Sequence, residues 1–190
     1  MGAFLKTLKS KNMSHILLFG FKKCGKTYFG MKAAQKLHRE FVESDHLVEE
    51  LYTAEYHQVL PYREIAKKHG FSFFQELEKR AVSLLLQKRQ CVVSLGGGLA
   101  LDPENVTRLQ EAGTFIYLKA PKLILKTRIL SGDIPHYFDP EKPEHSFETI
   151  YQEREPIYER IASHIIHMGG KTEEEIIKEI CQLAPRKPLP

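Results

Sequence analysis

The sequence predicts an α/β protein, a three-layer sandwich in which a five-stranded parallel sheet carries helices on both faces. Three observations indicate this fold class. Five short apolar runs recur along the 190-residue chain, longer helical patterns separate them, and a glycine-lysine motif joins the first run to the first helical pattern. Strands that are apolar throughout and separated by helices indicate parallel βαβ units whose sheet is covered on both faces.

Each strand is predicted from its own apolar run. The five runs are HILLF at 15–19, EFVE at 40–43, CVVSL at 91–95, TFIYLKA at 114–120 and HIIHM at 164–168. The first helix is predicted over residues 26–37, directly after the glycine-lysine motif. Further helices are expected in the intervals between the later strands.

Two segments depart from this alternation. Residues 60–90 are predicted to be helical throughout with a break near Gly70, and they add more chain than a crossover requires, so we expect them to cover a site. Residues 131–146 hold three prolines and no apolar periodicity, which predicts a loop long enough to act as a lid. A helix is expected over residues 151–162.

These segments belong to one predicted domain. We place it at 14–184, with a substrate-binding helical region at 60–90 and a mobile lid at 131–147. An N-terminal extension at 1–13 and a flexible tail at 185–190 flank it.

Composition argues against several classes of function. The net charge of +4 comes from 28 basic and 24 acidic residues spread along the chain. The sequence therefore does not indicate an overall positive surface that would attract nucleic acid. The three cysteines lie far apart, which favours reduced thiols over a disulfide framework or a zinc site. No apolar run is long enough to span a bilayer. We therefore expect a cytoplasmic protein without nucleic-acid or membrane partners. A monomer is expected as well, although the sequence does not determine the oligomeric state.

The motif at residues 20–27 is typical of a phosphate-binding loop. Gly20, Gly25, Lys26 and Thr27 satisfy the pattern G-x-x-x-x-G-K-[ST], with a strand before it and a helical pattern after it. Backbone N–H groups would surround phosphate oxygens, Lys26 would neutralise β- and γ-phosphate charge, and the Thr27 hydroxyl would bind Mg²⁺. The alternative is a basic turn that opens an ordinary helix.

The other loop residues are also expected to bind the nucleotide: Phe21, Lys22, Lys23, Cys24 and Tyr28. Many phosphate loops carry glycine where Lys23 stands, because glycine permits a positive φ. Lys23 would either reshape the turn or add charge near the phosphates. Cys24 is expected to be a small filler rather than a nucleophile.

An acidic pair follows the second predicted strand. Glu43 and Asp45 are two residues apart, so in an extended segment they would point the same way. Phosphoryl transfer needs acidic groups around Mg²⁺ and a base for the acceptor's hydroxyl proton, and this pair suits both tasks. The alternative is that they cap a helix from residue 46.

Glycines and arginines follow later elements. Gly96, Gly97 and Gly98 come after the third strand, at the sheet edge where open α/β sheets bind ligands, although three glycines can also form a simple turn. Arg128 and Arg154 are candidate anion-binding residues on either side of the predicted lid. The alternative for each arginine is a solvated helix charge.

Taken together, these motifs resemble the shikimate kinases. GFKKCGKT, ESD, SLGGG, IYLK and REPIY occur in that family's order and approximate spacing, over residues 14–183. The resemblance implies a P-loop fold of the nucleoside-monophosphate-kinase type, with a helical shikimate-binding region and a mobile lid. It implies transfer of the γ-phosphoryl group of ATP, with Mg²⁺, to the 3-hydroxyl of shikimate on the route to chorismate and the aromatic amino acids.

The resemblance also implies a role for each matched position. In chain order these are phosphate binding by Lys26, metal binding by Thr27, an outer metal shell at Glu43, acceptor binding and proton removal by Asp45, substrate contact by Gly96, Gly97 and Gly98, an adenine neighbour at Arg128 and carboxylate binding by Arg154.

Two positions depart from the family pattern. The family motif FRxxE reads FQELE here, so Gln75 stands at a carboxylate-binding position. Ile134 stands where the family lid has a catalytic arginine, and no arginine lies between residues 128 and 154. The expected candidates for compensation are Lys22, Lys23, His136 and Arg63.

These departures leave two alternative functions open. The first is a kinase for another polyol or hydroxy acid, such as gluconate. The second is a weakly active nucleotide-binding regulatory protein on the same scaffold. Acceptor-dependent ADP release distinguishes the three interpretations.

Overall fold

Five parallel strands form one sheet with the strand that precedes the phosphate loop at its centre. The computed structural model describes residues 14–132, 134–135 and 137–184. Its strands are β1 His15–Phe19, β2 Phe41–Glu43, β3 Val92–Ser94, β4 Gly113–Lys119 and β5 His164–His167. They lie side by side in the order β2-β3-β1-β4-β5. The predicted extension at 1–13, the predicted tail at 185–190 and His136 lie outside the described residues.

Helices occupy the intervals between the strands. Their bounds are α1 Lys26–Leu37, α2 Ser44–Tyr56, α3 Tyr62–His69, α4 Phe71–Leu85, α5 Pro103–Gln110, α6 Lys122–Leu130, α7 Pro143–Ile161 and α8 Glu173–Gln182, with a 3₁₀ turn at Leu99–Leu101. None of the helices in the described ranges combines the length and apolar character needed to cross a membrane.

Burial of β1 shows that helices cover both faces of the sheet. All five of its side chains are buried, and successive side chains of a strand point to opposite faces. β1 pairs in parallel with β3 and β4, with Leu18 opposite Ser94 and Phe19 opposite Tyr117. The predicted fold class, a five-stranded parallel sheet between helical layers, is confirmed.

The strand and helix predictions differ from the structure mainly at their ends. The first strand and first helix have the predicted bounds, and the other four strands differ from their predicted bounds by one residue at one or both ends. The break in the helical region lies at Gly70, whose φ of +86° separates α3 from α4. The prediction of a helix continuing to residue 90 is wrong, because α4 ends at Leu85 and turns follow it.

The loop predicted before α7 ends earlier than expected. α7 begins at Pro143 rather than at residue 151, so residues 143–147 of the predicted lid are helical. We use the name lid segment for residues 131–142, the rest of that prediction. Proline in the first turn of a helix costs no hydrogen bond, since that N–H has no partner within the helix, and its fixed φ suits the start. Pro143 is therefore a signal for the start of a helix, which the loop prediction does not take into account.

Candidate active site

A cavity of about 390 Å³ opens where β1, β2 and β3 end. Its lining comprises Lys22, Lys23, Lys26 and Thr27 of the phosphate loop and α1; Glu43 and Asp45 at the end of β2 and the start of α2; Tyr62, Arg63 and Ala66 of α3; Phe71, Phe74 and Glu78 of α4; residues 94–98; Pro135 and Tyr137 of the lid segment; and Arg154 of α7. Parallel strands bring their carboxyl ends to one edge of the sheet, which gathers motifs distant in sequence.

The phosphate loop has the tight backbone that its glycines permit. Gly20 has a φ of +145°, and a Cβ there would lie 2.9 Å from the Leu118 carbonyl oxygen. The ammonium group of Lys26 donates to the Gly20 carbonyl at 3.0 Å and to the Phe21 carbonyl at 3.2 Å. These bonds hold the charge of Lys26 across the loop, where it faces the cavity.

Lys23 adopts the conformation that glycine would favour. Its φ is +67°, in the left-handed region, so the loop keeps a glycine-like turn despite the lysine. Its carbonyl accepts a hydrogen bond from Arg128 Nη1 at 3.3 Å. Arg128 therefore lies against the outer side of the phosphate loop.

The remaining loop side chains do not line the cavity. Cys24 is fully buried, and Phe21 is buried with its ring stacked on Tyr151 at 4.7 Å between centroids. Tyr28 is 47% exposed on α1. Any contact that Phe21 and Cys24 make with a phosphate would thus come from their backbone.

A hydroxyl and a carboxylate meet beside the loop. Thr27 donates its hydroxyl hydrogen to Glu43 Oε1. Oxygen donors of this kind fit Mg²⁺. The residues that the structure describes contain no cluster of three or more His, Cys, Asp or Glu side chains able to hold a metal. A magnesium ion at Thr27 and Glu43 would therefore share its coordination with phosphate oxygens and water.

Asp45 lies in a helix rather than in an extended segment. α2 begins at Ser44, directly after β2, so the prediction that Glu43 and Asp45 sit on one extended strand is wrong. Glu43 occupies the N-cap position without a side-chain capping bond, and its carboxylate instead accepts from Thr27. Both carboxylates still line the cavity, because the strand end and the first helical turn face the same space.

The pKa of the Asp45 carboxyl group is shifted toward neutral pH. Burial raises its pKa to about 6, an effect to which Glu43 and Glu49 add and which Lys26 and Arg63 oppose. At pH 7 the carboxylate form then exceeds the acid form by roughly ten to one. A pKa just below the working pH is what a general base needs.

Of the three glycines after β3, Gly96 and Gly98 are restricted by space rather than by a turn. None of the three has a positive φ, but a Cβ at Gly96 would lie 2.1 Å from Asp45 Oδ1, and one at Gly98 would lie 3.3 Å from Glu78 Oε1. The Gly96 N–H donates to Ser44 Oγ at 2.7 Å. These contacts bring the backbone of the β3 end directly against the acidic groups.

Glu78 is another carboxyl group that lines the cavity. It is 5% exposed, and burial, with the negative charges of Asp45 and Asp102, raises its pKa to about 8. Glu78 is therefore mainly protonated at neutral pH and able to donate a hydrogen bond toward the cavity.

Arg154 reaches the cavity from α7. Its Nη1 would lie 3.8 Å from a Cβ at Gly97, and its guanidinium group lies over the Tyr137 ring at 5.1 Å. Gln75 does not line the cavity, whereas Phe71, Phe74 and Glu78 of the same helix do.

Sequence reasoning missed the aromatic side chains of this wall. Phe71 and Phe74 are three residues apart on α4, a spacing that places them on one helix face. Tyr62 and Tyr137 carried no motif signal, and Ile134 of the lid segment is 39% exposed. A separate surface depression of about 690 Å³ between α1 and α8 contains none of the predicted site residues.

Comparison with known proteins shows the family to which the chain is similar. The family model for shikimate kinase matches residues 22–184. A shikimate kinase of Caldanaerobacter subterraneus is 37% identical over 169 residues, covering 88% of this chain and 94% of the relative. A shikimate kinase of Syntrophus aciditrophicus is 33% identical over 178 residues, covering 87% and 88% of the two chains.

Solved structures show the same similarity. A shikimate kinase of Acinetobacter baumannii in complex with shikimate superposes with a TM-score of 0.78 at 25% identity, covering 94% of this chain and 95% of that one. A gluconokinase of Sinorhizobium meliloti superposes with a TM-score of 0.53 at 17% identity, covering 90% and 91%. The second similarity shows a shared fold alone.

Proposed function

The chain belongs to the shikimate kinase family, and from that premise we propose how its residues transfer the γ-phosphoryl group of ATP to the 3-hydroxyl of shikimate. The products are shikimate 3-phosphate and ADP, on the route to chorismate and the aromatic amino acids. The observation that carries the proposal is the single cavity that brings Asp45, Lys26 and Arg154 together.

The phosphate loop is the donor end of this cavity. Its backbone N–H groups and the start of α1 surround the phosphates of ATP, and Lys26 neutralises charge on the β- and γ-phosphates. Lys22 and Lys23 line the same end and add positive charge. Arg128, held against the Lys23 carbonyl, lies beside the adenine.

Thr27, through its hydroxyl, and Glu43, in the outer coordination shell, would hold the magnesium ion that accompanies ATP. That ion would supply positive charge against the phosphates during transfer. The hydrogen bond between the two side chains supports this assignment, because it places both oxygens beside the phosphate loop.

The acceptor end lies between Asp45 and Arg154. Asp45 accepts the proton of the 3-hydroxyl as its oxygen attacks the γ-phosphorus, and Arg154 pairs with the carboxylate of shikimate. The backbone of Gly96, Gly97 and Gly98 contacts the ring. Protonated Glu78 donates a hydrogen bond to a shikimate hydroxyl, a task that an ionised carboxylate cannot perform.

The lid segment excludes water from the transfer. Tyr137 and Pro135 line the cavity from the lid segment, and the contact of Tyr137 with Arg154 joins the lid segment to the acceptor end. Closing such a segment strengthens the electrostatic interactions in the site and prevents hydrolysis of ATP. We propose that the enzyme acts as a monomer in the cytoplasm.

A coupled assay of ADP release tests the proposal. We expect turnover with shikimate, and only background rates with gluconate or without an acceptor. Lys26→Ala should lower turnover by orders of magnitude with shikimate, because it removes charge stabilisation that other groups cannot replace. Turnover with gluconate alone, or ATP binding without any acceptor-dependent turnover, would contradict the proposal.

A further inference from the structure

We propose that Arg63, on the first turn of α3, binds the substrate carboxylate together with Arg154 and thereby sets the acceptor specificity of this chain. The inference rests on the proposed function, since it requires an anionic acceptor in the cavity. Among the residues that the structure describes, Arg63 and Arg154 are the two arginines that line the cavity. The lining lysines all belong to the phosphate loop and α1.

Arg63 is held in place at the cavity wall. Its Nε donates to Tyr62 Oη at 3.0 Å, and its guanidinium group lies over the Tyr62 ring at 5.5 Å. The backbone N–H of Tyr62 in turn donates to Glu49 Oε1 of α2 at 2.8 Å. A guanidinium group already oriented by these contacts loses less freedom when it binds an anion.

The cavity lining locates Arg63 beside the acceptor end. Tyr62 and Arg63 line the same cavity as Asp45 and Arg154, and so does Ala66, one helical turn further along α3. One face of α3 is therefore turned toward the space where the acceptor binds.

An anionic acceptor needs a second cation at this end. Asp45 and Glu43 line the cavity as carboxylates, and they repel a substrate carboxylate. Gln75 carries no charge and does not line the cavity. Arg63 supplies the positive charge from α3, one helix earlier in the chain than the position of Gln75 on α4.

The test compares Arg63→Gln with wild type in steady-state kinetics. Loss of one charge-assisted contact to a carboxylate should raise KM for shikimate by about 10- to 150-fold. We expect kcat and KM for ATP to stay within about threefold, since the contact is made equally before and during transfer. The KM for shikimate of Arg63→Lys should lie between those of wild type and Arg63→Gln, because lysine keeps the positive charge but loses the planar guanidinium group.

Arg80→Gln is the matched control. Arg80 is an exposed arginine of α4 that pairs with Glu55 at 2.6 Å, away from the cavity lining. Its replacement removes one positive charge from the same helical region, so it should leave KM for shikimate unchanged. A KM shift in Arg80→Gln as large as that in Arg63→Gln would overturn the inference.

The methyl ester of shikimate separates carboxylate binding from a structural role. The ester carries no charge, so Arg63→Gln and wild type should differ by less than about threefold with it. If Arg63→Gln raises KM by the same factor for shikimate and for the ester, the inference is overturned. An unchanged KM for shikimate in Arg63→Gln would also overturn it. If wild type itself fails to use shikimate, the proposed function fails and this inference fails with it; an active wild type with an insensitive Arg63→Gln overturns the inference alone.

Discussion

Lys23 shows how one residue can depart from a loop pattern without changing the loop. Its left-handed φ of +67° is a conformation that costs a non-glycine residue about 1–3 kcal/mol. The sequence left open whether lysine would reshape the turn or add charge. The structure shows that the turn is kept, and that Lys23 lines the cavity.

Replacing Lys23 by glycine should therefore cost little stability. Lys22 does not share the positive φ, so Lys22→Gly adds only the entropy cost of glycine and should lower the free energy of unfolding by about 0.5–1 kcal/mol. Lys23→Gly should be more stable than Lys22→Gly by about 1 kcal/mol, because strain relief offsets the same cost. Urea unfolding of both variants measures the difference. Equal losses would show that Lys23 is not strained.

Asp45 predicts the acid limb of the pH profile. With a pKa raised to about 6 by burial, the carboxylate that we propose as the base is protonated as pH falls through 6, so kcat/KM for shikimate should drop about tenfold per pH unit below that value. Asp45→Asn should lower turnover by about 10²- to 10⁴-fold and remove this limb from the residual activity. Initial rates between pH 5 and 8 check both statements.

The same raised pKa fixes the sign of the stability effect. A carboxyl group whose pKa is higher in the folded state stabilises the fold when protonated, and that contribution is lost as pH rises through about 6. The neutral amide introduced by Asp45→Asn mimics the protonated carboxyl group, so this substitution should not lower the melting temperature at pH 7. A lowered melting temperature would contradict this stability prediction, and near-normal turnover would contradict the role of Asp45 as the base.

At the scale of the element, the end of β3 depends on the absence of side chains. A Cβ at Gly96 would lie 2.1 Å from Asp45 Oδ1, while the nearest atom to a Cβ at Gly97 is Arg154 Nη1 at 3.8 Å. The two positions are adjacent and share a loop, but only a Cβ at Gly96 would displace Asp45. Periodicity alone does not distinguish this requirement from a glycine turn.

Gly96→Ala and Gly97→Ala form a matched pair for this claim. Gly96→Ala should lower kcat by about 10²-fold or more, because displacement of a catalytic group by about an ångström has an effect of that size. Gly97→Ala adds the same methyl group in ordinary contact distance and should act mainly on KM for shikimate. Steady-state kinetics on both variants measures kcat and KM for shikimate separately. Equal losses of kcat in the two variants would contradict the claim.

Element boundaries were predictable where the signal was local. The phosphate-loop motif marks both the end of β1 and the start of α1, so both bounds were predicted correctly. The start of α7 was missed although Pro143 is a local signal for it, and the start of α2 was missed because no local signal marks it. Ser44 begins a helix directly after β2, where its hydroxyl accepts from Gly96 N–H, and a contact between residues so far apart in sequence leaves no local signal.

At the scale of the whole molecule, the sheet gathers the site. The order β2-β3-β1-β4-β5 places the ends of β1, β2 and β3 side by side, which explains why motifs spread over more than a hundred residues line one cavity. The alternation of strands and helices was sufficient to predict the fold class. The alternation did not predict that Tyr62 and Arg63 line the cavity, although Arg63 was one of the candidates for compensation. Their positions depend on the packing of α3 against Glu49 of α2.

The most direct test of shikimate phosphorylation identifies the product. ATP, Mg²⁺ and shikimate are incubated with the purified chain, and the products are analysed by mass spectrometry and phosphorus NMR. We predict one phosphate ester of shikimate, with phosphorus coupled to the proton on carbon 3, formed together with ADP and absent with Asp45→Asn. A phosphate on another hydroxyl, or ADP and inorganic phosphate without any phosphorylated shikimate, would contradict the proposed transfer.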